Sequence, residues 1–360
     1  MTDRAATLAL AAQLRARFEG AGAKAIETAV LQPAETLLDL YGEDIRARAY
    51  VTSDALRGEQ MLRPDFTVPV VQMHMADGAD PARYTYAGEV FRRQKHDPER
   101  ANEYVQVGYE VFDRVAPAEA DAEVFALMVA ATAHLDLRAV TGDIGILMAA
   151  VQGLDTSDAR KAALMRHIWR PERFRALLER FAGRQPMSKT RTALLNTDDA
   201  PELGVLVGKR GAGEIIARVE ALRLDSTQAP LSGAELNALE QLLEVEGAMP
   251  DALEALQRLR ADLPAIAPAL ERLKQRMAAL SARGIDVARL AFQASYGRSS
   301  MEYYDGFVFG LSVPERADLP LVASGGRYDA LTRQLGRGRE IPAVGGVLRP
   351  GLMLDLEAGA

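Results

Sequence analysis

Two segments rich in strand-forming residues enclose a long segment of helical character, and this order constrains the fold more than any other feature of the sequence. Tyr, Val and Phe are frequent in residues 83–113 and return after residue 286. In the segment between them, Ala, Leu, Arg and Glu dominate, and apolar residues recur every three to four positions. Strand-rich segments separated in this way are expected to complete one sheet. We therefore predict an α+β fold, an antiparallel sheet flanked by helices, with its core at 1–152 and 286–360 and a mainly helical insertion at 153–285.

The first strand-rich segment predicts a β-hairpin. Residues 83–92 and 103–113 are joined by a charged turn that Pro98 interrupts. Helices are predicted before and after this hairpin, at 4–19 and at 118–133. After the insertion, the pattern predicts strands and a helix in the order 290–296, 303–313 and 319–323, and then, beyond Gly325 and Gly326, a helix from Tyr328.

Composition excludes several classes of protein. The formal net charge is −7, so a broad contact with nucleic acid is not expected, because phosphate binding needs clustered positive charge. The absence of cysteine excludes disulfides and thiolate metal sites. The four histidines stand at no ligand spacing, so we predict no metal and no cofactor. The sequence has neither a run of 18 apolar residues nor a signal-peptide pattern, which predicts a cytoplasmic protein without a membrane contact.

Polar side chains fall on common faces of the extended segments. Because side chains alternate along a strand, residues two or four apart point the same way. The pairs are Gln106 with Glu110, Arg92 with Gly88, and Asp65 with Thr67. The glycines Gly88 and Gly108 carry no side chain, which predicts room for a ligand against the backbone. The same pattern is also typical of a sheet with one face in solvent, and the pattern alone leaves both interpretations open.

Several ordered runs resemble the histidyl-tRNA synthetases, a family of class II aminoacyl-tRNA synthetases. Residues 62–69 (LRPDFTVP), 86–92 (YAGEVFR) and 103–110 (EYVQVGYE) are similar to the motif 2 region of that family. Residues 302–309 (EYYDGFVF) and 324–329 (SGGRYD) are similar to its two histidine-specific motifs. The resemblance implies the catalytic-core fold of the class II synthetases over both strand-rich segments.

The resemblance also implies a pocket for histidine. Three residues would accept hydrogen bonds from the substrate's α-ammonium group: Asp65, Thr67 and Gln106. Arg92 would bind a carboxylate or a phosphate. The two imidazole nitrogens would be bound by Glu110 and Tyr304, with Tyr303 and Tyr328 close by.

Departures from the synthetase pattern change the implied function. Ser299 and Leu352 stand where the family carries arginines that stabilise the reacting carboxylate and bind ATP, and Gln94 replaces an acid of the ATP site. The sequence is also expected to carry no anticodon-binding domain. This combination resembles the regulatory subunits of ATP phosphoribosyltransferase. That resemblance implies a non-catalytic subunit that pairs with the short-form catalytic subunit, as a dimer within a hetero-octamer. It also implies a role in the first step of histidine biosynthesis and in its feedback inhibition by histidine.

Two other functions stay open at this point. A truncated synthetase-like enzyme would adenylate histidine or a related amine, and it would catalyse ATP–pyrophosphate exchange in the presence of histidine. An RNA-binding module would show salt-dependent RNA binding. The lost arginine positions disfavour the enzyme, and the net charge of −7 disfavours the RNA-binding module.

Overall fold

A nine-stranded sheet forms the centre of the structure, and a separate three-stranded sheet lies beside it. The structure is a computed structural model, and it describes residues 3–41, 43–94, 100–186, 188–197, 210–298 and 303–359. Its strands are β1 Lys24–Ala25, β2 Leu31–Pro33, β3 Val51–Asp54, β4 Gly58–Leu62, β5 Ala82–Phe91, β6 Glu103–Phe112, β7 Arg138–Asp143, β8 Glu246–Ala248, β9 Ala291–Gln293, β10 Phe307–Ser312, β11 Ala323–Arg327 and β12 Ala343–Leu348.

Helices surround the sheets. They are α1 Arg4–Gly20, α2 Ala34–Tyr41, α3 Thr67–Asp77, α4 Pro117–Ala131, α5 Ile144–Gln152, α6 Asp158–Arg166, α7 Pro171–Phe181, α8 Lys189–Leu195, α9 Ala212–Ser226, α10 Gly233–Glu244, α11 Met249–Arg258, α12 Ala267–Ala282, α13 Asp329–Leu335 and α14 Pro350–Gly359. Among the described residues, no helix is both long and apolar enough to cross a membrane.

The central sheet is mostly antiparallel, as the sequence predicts. Its strand order is β1-β5-β6-β12-β11-β10-β7-β9-β8, and the small sheet has the order β2-β4-β3. Only two described neighbouring pairs, β1 with β5 and β7 with β9, run parallel. The predicted hairpin is confirmed as β5 and β6, with Gly88 opposite Gln106 and Tyr84 opposite Glu110. Strands distant in sequence therefore lie side by side, and β12 pairs with β6.

Alternation along β6 gives the sheet one apolar face and one polar face. Tyr109 lies on the apolar face, where its ring packs 5.4 Å from that of Phe18 in α1. Its hydroxyl donates a 2.5 Å hydrogen bond to Glu123 of α4. Both helices therefore cover this face of the sheet. Gln106 and Glu110 are buried on the opposite face, where the candidate site lies.

Two of the predicted local structures are wrong. The predicted strand 319–323 lies at Ala323–Arg327 instead, so that Gly325 and Gly326 stand inside β11. A Cβ at Gly326 would lie 2.6 Å from the carbonyl oxygen of Phe307, so the close neighbouring strand admits only glycine. The extended segment predicted at 62–69 is also wrong, because Thr67 begins α3.

The predicted insertion is mainly helical in its described residues, but it includes strand β8, and its last part packs on the core. Strand β8 pairs with β9 at the edge of the central sheet. Arg276 of α12 donates hydrogen bonds of 2.8 Å to Asp121 in α4 and 2.9 Å to Asp143 in β7. Residues 246–282 are thus joined to the core, whereas the division at 153 and 285 stays a prediction.

Candidate functional site

A cavity of about 380 Å³ opens on the polar face of the central sheet. Ligand sites in proteins have volumes of this order. Six of the predicted site residues line it: Asp65, Thr67, Arg92, Gln106, Tyr303 and Tyr304. The wall is completed by Arg100, Ala317, Leu319, Pro320, Leu321, Ser324, Val347 and Arg349. Strands β6, β11 and β12 supply the floor, because residues on their common face alternate with those that face the helices.

One end of the cavity is rich in hydrogen-bond acceptors. Asp65 stands just before α3, where its Oδ1 accepts a 3.4 Å hydrogen bond from the backbone N–H of Val68. Gln106 is 2% exposed, and no described residue donates to its Oε1. A buried acceptor left without a donor costs roughly 1–3 kcal/mol. This end of the cavity is therefore suited to a ligand that carries several hydrogen-bond donors, such as an ammonium group.

Glu110 lies beneath the cavity wall, where hydroxyl groups surround its carboxylate. Its Oε2 accepts a 2.5 Å hydrogen bond from Tyr328, and its Oε1 accepts bonds from Tyr86 (2.9 Å) and Thr67 (3.2 Å). Burial raises the pKa of Glu110 to about 7, although the three hydroxyl donors favour the ionised form. Gly345 on β12 faces this carboxylate closely, because a Cβ there would overlap it.

Two adjacent tyrosines form the aromatic wall. Tyr303 donates a 3.3 Å hydrogen bond to the hydroxyl of Tyr304, and the two ring centroids are 4.5 Å apart. Tyr304 packs against Gly326, where a Cβ would lie 2.8 Å from the ring. Burial holds the pKa of both phenols above the ordinary range, so both stay protonated donors. They can pack on a planar ring and offer it hydroxyl groups.

Three arginines also line the cavity: Arg92, Arg100 and Arg349. The Nε of Arg92 donates a 2.7 Å hydrogen bond to the carbonyl oxygen of Pro64, and Arg100 donates one of 2.7 Å to that of Asp318. The guanidinium carbon of Arg349 lies 4.8 Å from the centre of the Tyr104 ring. Burial lowers the pKa of Arg349, and the neighbouring arginines lower it further while Tyr104 opposes them. These guanidinium groups are suited to an anion.

The sequence predicts room for a ligand beside the two hairpin glycines, Gly88 and Gly108. This prediction is wrong, because protein side chains fill the space next to both. A Cβ at Gly108 would overlap the ring of Tyr86. At Gly88, a Cβ would lie 2.7 Å from Nη2 of Arg63 and 3.1 Å from the ring of Phe66. The space beside the two glycines is thus filled by side chains of the protein itself. Two of these, Phe66 and Tyr86, stack with their ring centroids 4.2 Å apart.

The structure also places Tyr86 and Arg349 at the site, two residues to which the sequence pattern assigns no role. Tyr86 pairs with Gly108 across the hairpin, so strand register alone puts it on the polar face beside Glu110. Arg349 follows Val347 by two residues, and alternation predicts a shared face. Leu352, the position compared with the synthetase arginine, packs against the hydrophobic core.

Metal-binding clusters are absent from the described part of the chain, where no group of three or more His, Asp or Glu side chains could hold an ion. His96 lies outside the described residues. A second cavity, of about 80 Å³, lies beside His74, whose ring stacks on Phe112 with centroids 3.8 Å apart. Burial lowers the pKa of His74 to about 4, so this ring is neutral.

Comparison with known proteins gives the family. A family model described as histidyl-tRNA synthetase matches residues 2–200 and 171–351. An ATP phosphoribosyltransferase regulatory subunit from Agrobacterium fabrum is 34% identical over 360 residues, which cover 93% of this chain and 93% of that protein. Another, from Allorhizobium ampelinum, is 32% identical over 352 residues, which cover 91% and 92%. The chain belongs to the ATP phosphoribosyltransferase regulatory subunit family.

Solved structures confirm the fold class of this regulatory-subunit family member. A structure from Bacillus halodurans, described as an ATP phosphoribosyltransferase regulatory subunit/histidyl-tRNA synthetase, has a TM-score of 0.68 at 22% identity and covers 98% of this chain and 79% of that one. Histidyl-tRNA synthetase from Nostoc sp. PCC 7120 has a TM-score of 0.66 at 18% identity, with coverage of 99% and 73%. The predicted class II synthetase-like α+β fold is confirmed.

Proposed function

We propose that this regulatory subunit is non-catalytic and senses histidine in the 380 Å³ cavity. In this proposal it pairs with the short-form catalytic subunit of ATP phosphoribosyltransferase in the cytoplasm and supports the first step of histidine biosynthesis. Histidine would bind one conformation of the complex more tightly than the other and so shift their populations, which produces feedback inhibition. The observation that carries the proposal is the pairing of acceptors, phenols and arginines within one cavity.

Histidine carries the complementary groups. Its ammonium can donate to Asp65, Thr67 and Gln106, of which Gln106 has an unused buried acceptor oxygen. Its imidazole can pack on the tyrosine wall, and its carboxylate can meet a guanidinium group. Glu110 and Tyr328 lie beneath this wall, so we assign them to the support of Thr67 and Tyr304.

Loss of synthetase chemistry supports a non-catalytic role. Adenylate formation needs cations that stabilise the charge on the transferring phosphoryl group. Leu352 is apolar and packs on the core, so it supplies no such charge. Ser299 is likewise uncharged, and Gln94 carries no acid for the ATP site.

Self-association is proposed through the small sheet. Val30 (40% exposed), Leu31 (49%), Val51 (43%) and Leu56 (93%) bring exposed apolar side chains to β2, β3 and the turn that follows β3. Clustered exposed apolar residues mark interaction surfaces. We propose that a second copy covers them within the hetero-octamer. Leu31→Asp should then shift the particle from dimer to monomer in sedimentation, whereas Leu224→Asp on α9 should leave it unchanged.

Co-purification with a short-form ATP phosphoribosyltransferase catalytic subunit tests the whole proposal. The pair should elute together, and the catalytic rate of the complex should fall when histidine is added. Histidine binding to the isolated chain is measured in parallel by titration calorimetry. Failure to co-elute would reject the partner, and an unaffected rate would reject the feedback role. ATP–pyrophosphate exchange stimulated by histidine would instead support the synthetase-like enzyme.

A further inference from the structure

Arg349 directly follows β12, and its side chain faces the cavity. Gly345 and Val347 share the polar face of the sheet with Glu110 and Gly108 of β6, which lie opposite them. Arg349 is two residues further along, and its backbone N–H still donates a 3.0 Å hydrogen bond to the carbonyl oxygen of Val322. Its side chain lines the cavity together with Val347. The end of β12 therefore places a guanidinium group on the side of the sheet that carries the cavity.

Arg349 has no carboxylate partner among the described residues. Its guanidinium group lies over the ring of Tyr104, and Arg92 and Arg100 are the charged groups that act on it. Arg92 and Arg100 line the same cavity, whereas Asp65 is the one acidic residue among the lining residues described. Like charges gathered in a partly desolvated cavity repel one another, and an anionic ligand would relieve this repulsion.

Arg349 also lies next to the acceptor end of the cavity. Tyr104 and Gln106 are two residues apart on β6 and share its polar face. The Arg349 guanidinium lies over Tyr104. This places Arg349 close to Gln106, whose Oε1 accepts no hydrogen bond from the described residues. An α-amino acid carries its ammonium and its carboxylate on adjacent carbon atoms. Side chains that line one cavity from neighbouring strands can therefore bind both groups together.

We propose that Arg349 binds the α-carboxylate of the amino acid held in this cavity, with Arg92 beside it. The inference rests on the proposed function, and it assigns the carboxylate contact to the residue that follows β12 instead of to position 299, which holds a serine. The planar guanidinium presents two parallel N–H donors, so it can hold both carboxylate oxygens at once. The ligand class is thus an α-amino acid with a free carboxylate.

Ligand and protein changes together test this assignment. Titration calorimetry at constant ionic strength would compare histidine with histamine, which keeps the ammonium and the imidazole but lacks the carboxylate. Inorganic phosphate serves as the third ligand, since a phosphate could also use this anion site. The proteins are the wild type, Arg349→Met and Arg349→Lys. Arg272→Met, on the exposed side of α12, is the control that removes one arginine charge elsewhere.

Arg349→Met should weaken histidine binding about 10- to 100-fold and change histamine binding by less than about 3-fold. Arg349→Lys keeps a cation but loses the planar arrangement of N–H donors. Its affinity for histidine should therefore lie between that of the wild type and that of Arg349→Met. Arg272→Met should bind both ligands as the wild type does. If Arg349→Met fails to fold by circular dichroism, the lysine variant carries the same comparison.

The failures are distinguishable. Equal losses for histidine and histamine would mean that Arg349 only supports the wall through Tyr104, and they would overturn the carboxylate assignment while leaving the pocket intact. Phosphate binding lost in Arg349→Met, with unchanged histidine affinity, would assign the site to a phosphate and overturn it as well. Absence of histidine binding in the wild type would reject the proposed function together with this inference.

Discussion

Gln106 is a buried amide whose carbonyl oxygen accepts no hydrogen bond from the described residues. An apolar side chain of similar size removes that unsatisfied group, so Gln106→Leu should keep or slightly raise the free energy of unfolding of the unliganded protein. The same change removes an acceptor for the ammonium group. Histidine affinity, measured by calorimetry, should therefore fall about 10-fold or more.

Gln60 is the matched control for Gln106. It is also buried, at 6% exposed, but its amide donates to the carbonyl oxygens of Arg57 and Glu59 at 3.2 Å. Gln60→Leu should lower the unfolding free energy by about 1 kcal/mol and leave histidine binding unchanged. A stability loss in Gln106→Leu with unaltered histidine binding would assign Gln106 to structure instead of to the ligand.

Glu110 should make the stability of the protein depend on pH. Burial raises its pKa from 4.5 to about 7, so the fold favours the protonated carboxyl group. Its contribution to stability is complete below pH 4.5 and is lost as the pH rises through about 7. The loss on the alkaline side is at most about 3 kcal/mol. Asp305 acts in the same direction, because burial and the charge of Asp329 raise its pKa to about 7.

Glu110→Gln distinguishes the contribution of Glu110 to the pH dependence from that of Asp305, because it removes the titration of Glu110 alone. Urea unfolding at pH 5 and at pH 8 should show a smaller loss of free energy in this variant than in the wild type. Glu254→Gln, an exposed acid with a 73% accessible side chain, should keep the wild-type difference. Identical pH dependence in wild type and Glu110→Gln would show that Glu110 does not titrate in this range.

At the scale of elements, the sequence pattern predicts those helices and strands that depend on residues close in sequence. It does not predict the elements that depend on tertiary contacts. The hairpin β5–β6 and the helices α1 and α4 follow from side-chain periodicity, and the structure confirms them. Strand β11 could not be predicted, because Gly325 and Gly326 are typical of a break until the strands beside them are known. Asp65 and Thr67 do line one cavity, but through the start of a helix instead of a strand face.

Asp305 contacts a helix that is distant from it in sequence. The sequence Asp305-Gly306 is typical of a hairpin turn, but in the structure Asp305 binds the first turn of α13. Its carboxylate oxygens accept hydrogen bonds from the backbone N–H groups of Asp329 (2.9 Å) and Ala330 (2.6 Å). Tyr328, which donates to Glu110, stands directly before this helix. The cap therefore positions a residue of the site.

Removal of this cap should be costly. Asp305→Ala leaves two part-buried N–H groups without their acceptor and should lower the free energy of unfolding by about 2 kcal/mol in urea denaturation. Asp286→Ala removes a similar bond, from the N–H of Ala288 at 3.2 Å, in an exposed turn and should cost less than about 0.5 kcal/mol. Equal costs in the two variants would contradict a capping role for Asp305.

At the scale of the molecule, a buried chain of charges joins the helical segment to the core. Asp121 of α4 accepts from Arg276 at 2.8 Å and from Arg327 at 2.7 Å, and Arg327 also binds Asp329 at 3.0 Å. Helical periodicity identifies an amphipathic helix but not the surface it packs on, so the sequence could not show that α12 belongs beside α4. The residues next to Tyr328 are thus connected to a helix inside the predicted insertion.

Arg276→Met tests whether that helix is an integral part of the core. The variant leaves Asp143 without its cation inside the protein, and a broken buried ion pair costs roughly 3–5 kcal/mol. If α12 and the core form one cooperative unit, fluorescence and circular dichroism should show a single unfolding transition, displaced to lower urea. Arg272→Met, on the exposed side of α12, should leave the transition in place. A separate early transition confined to helical signal would instead mark an insertion that unfolds independently, with its boundary near 285.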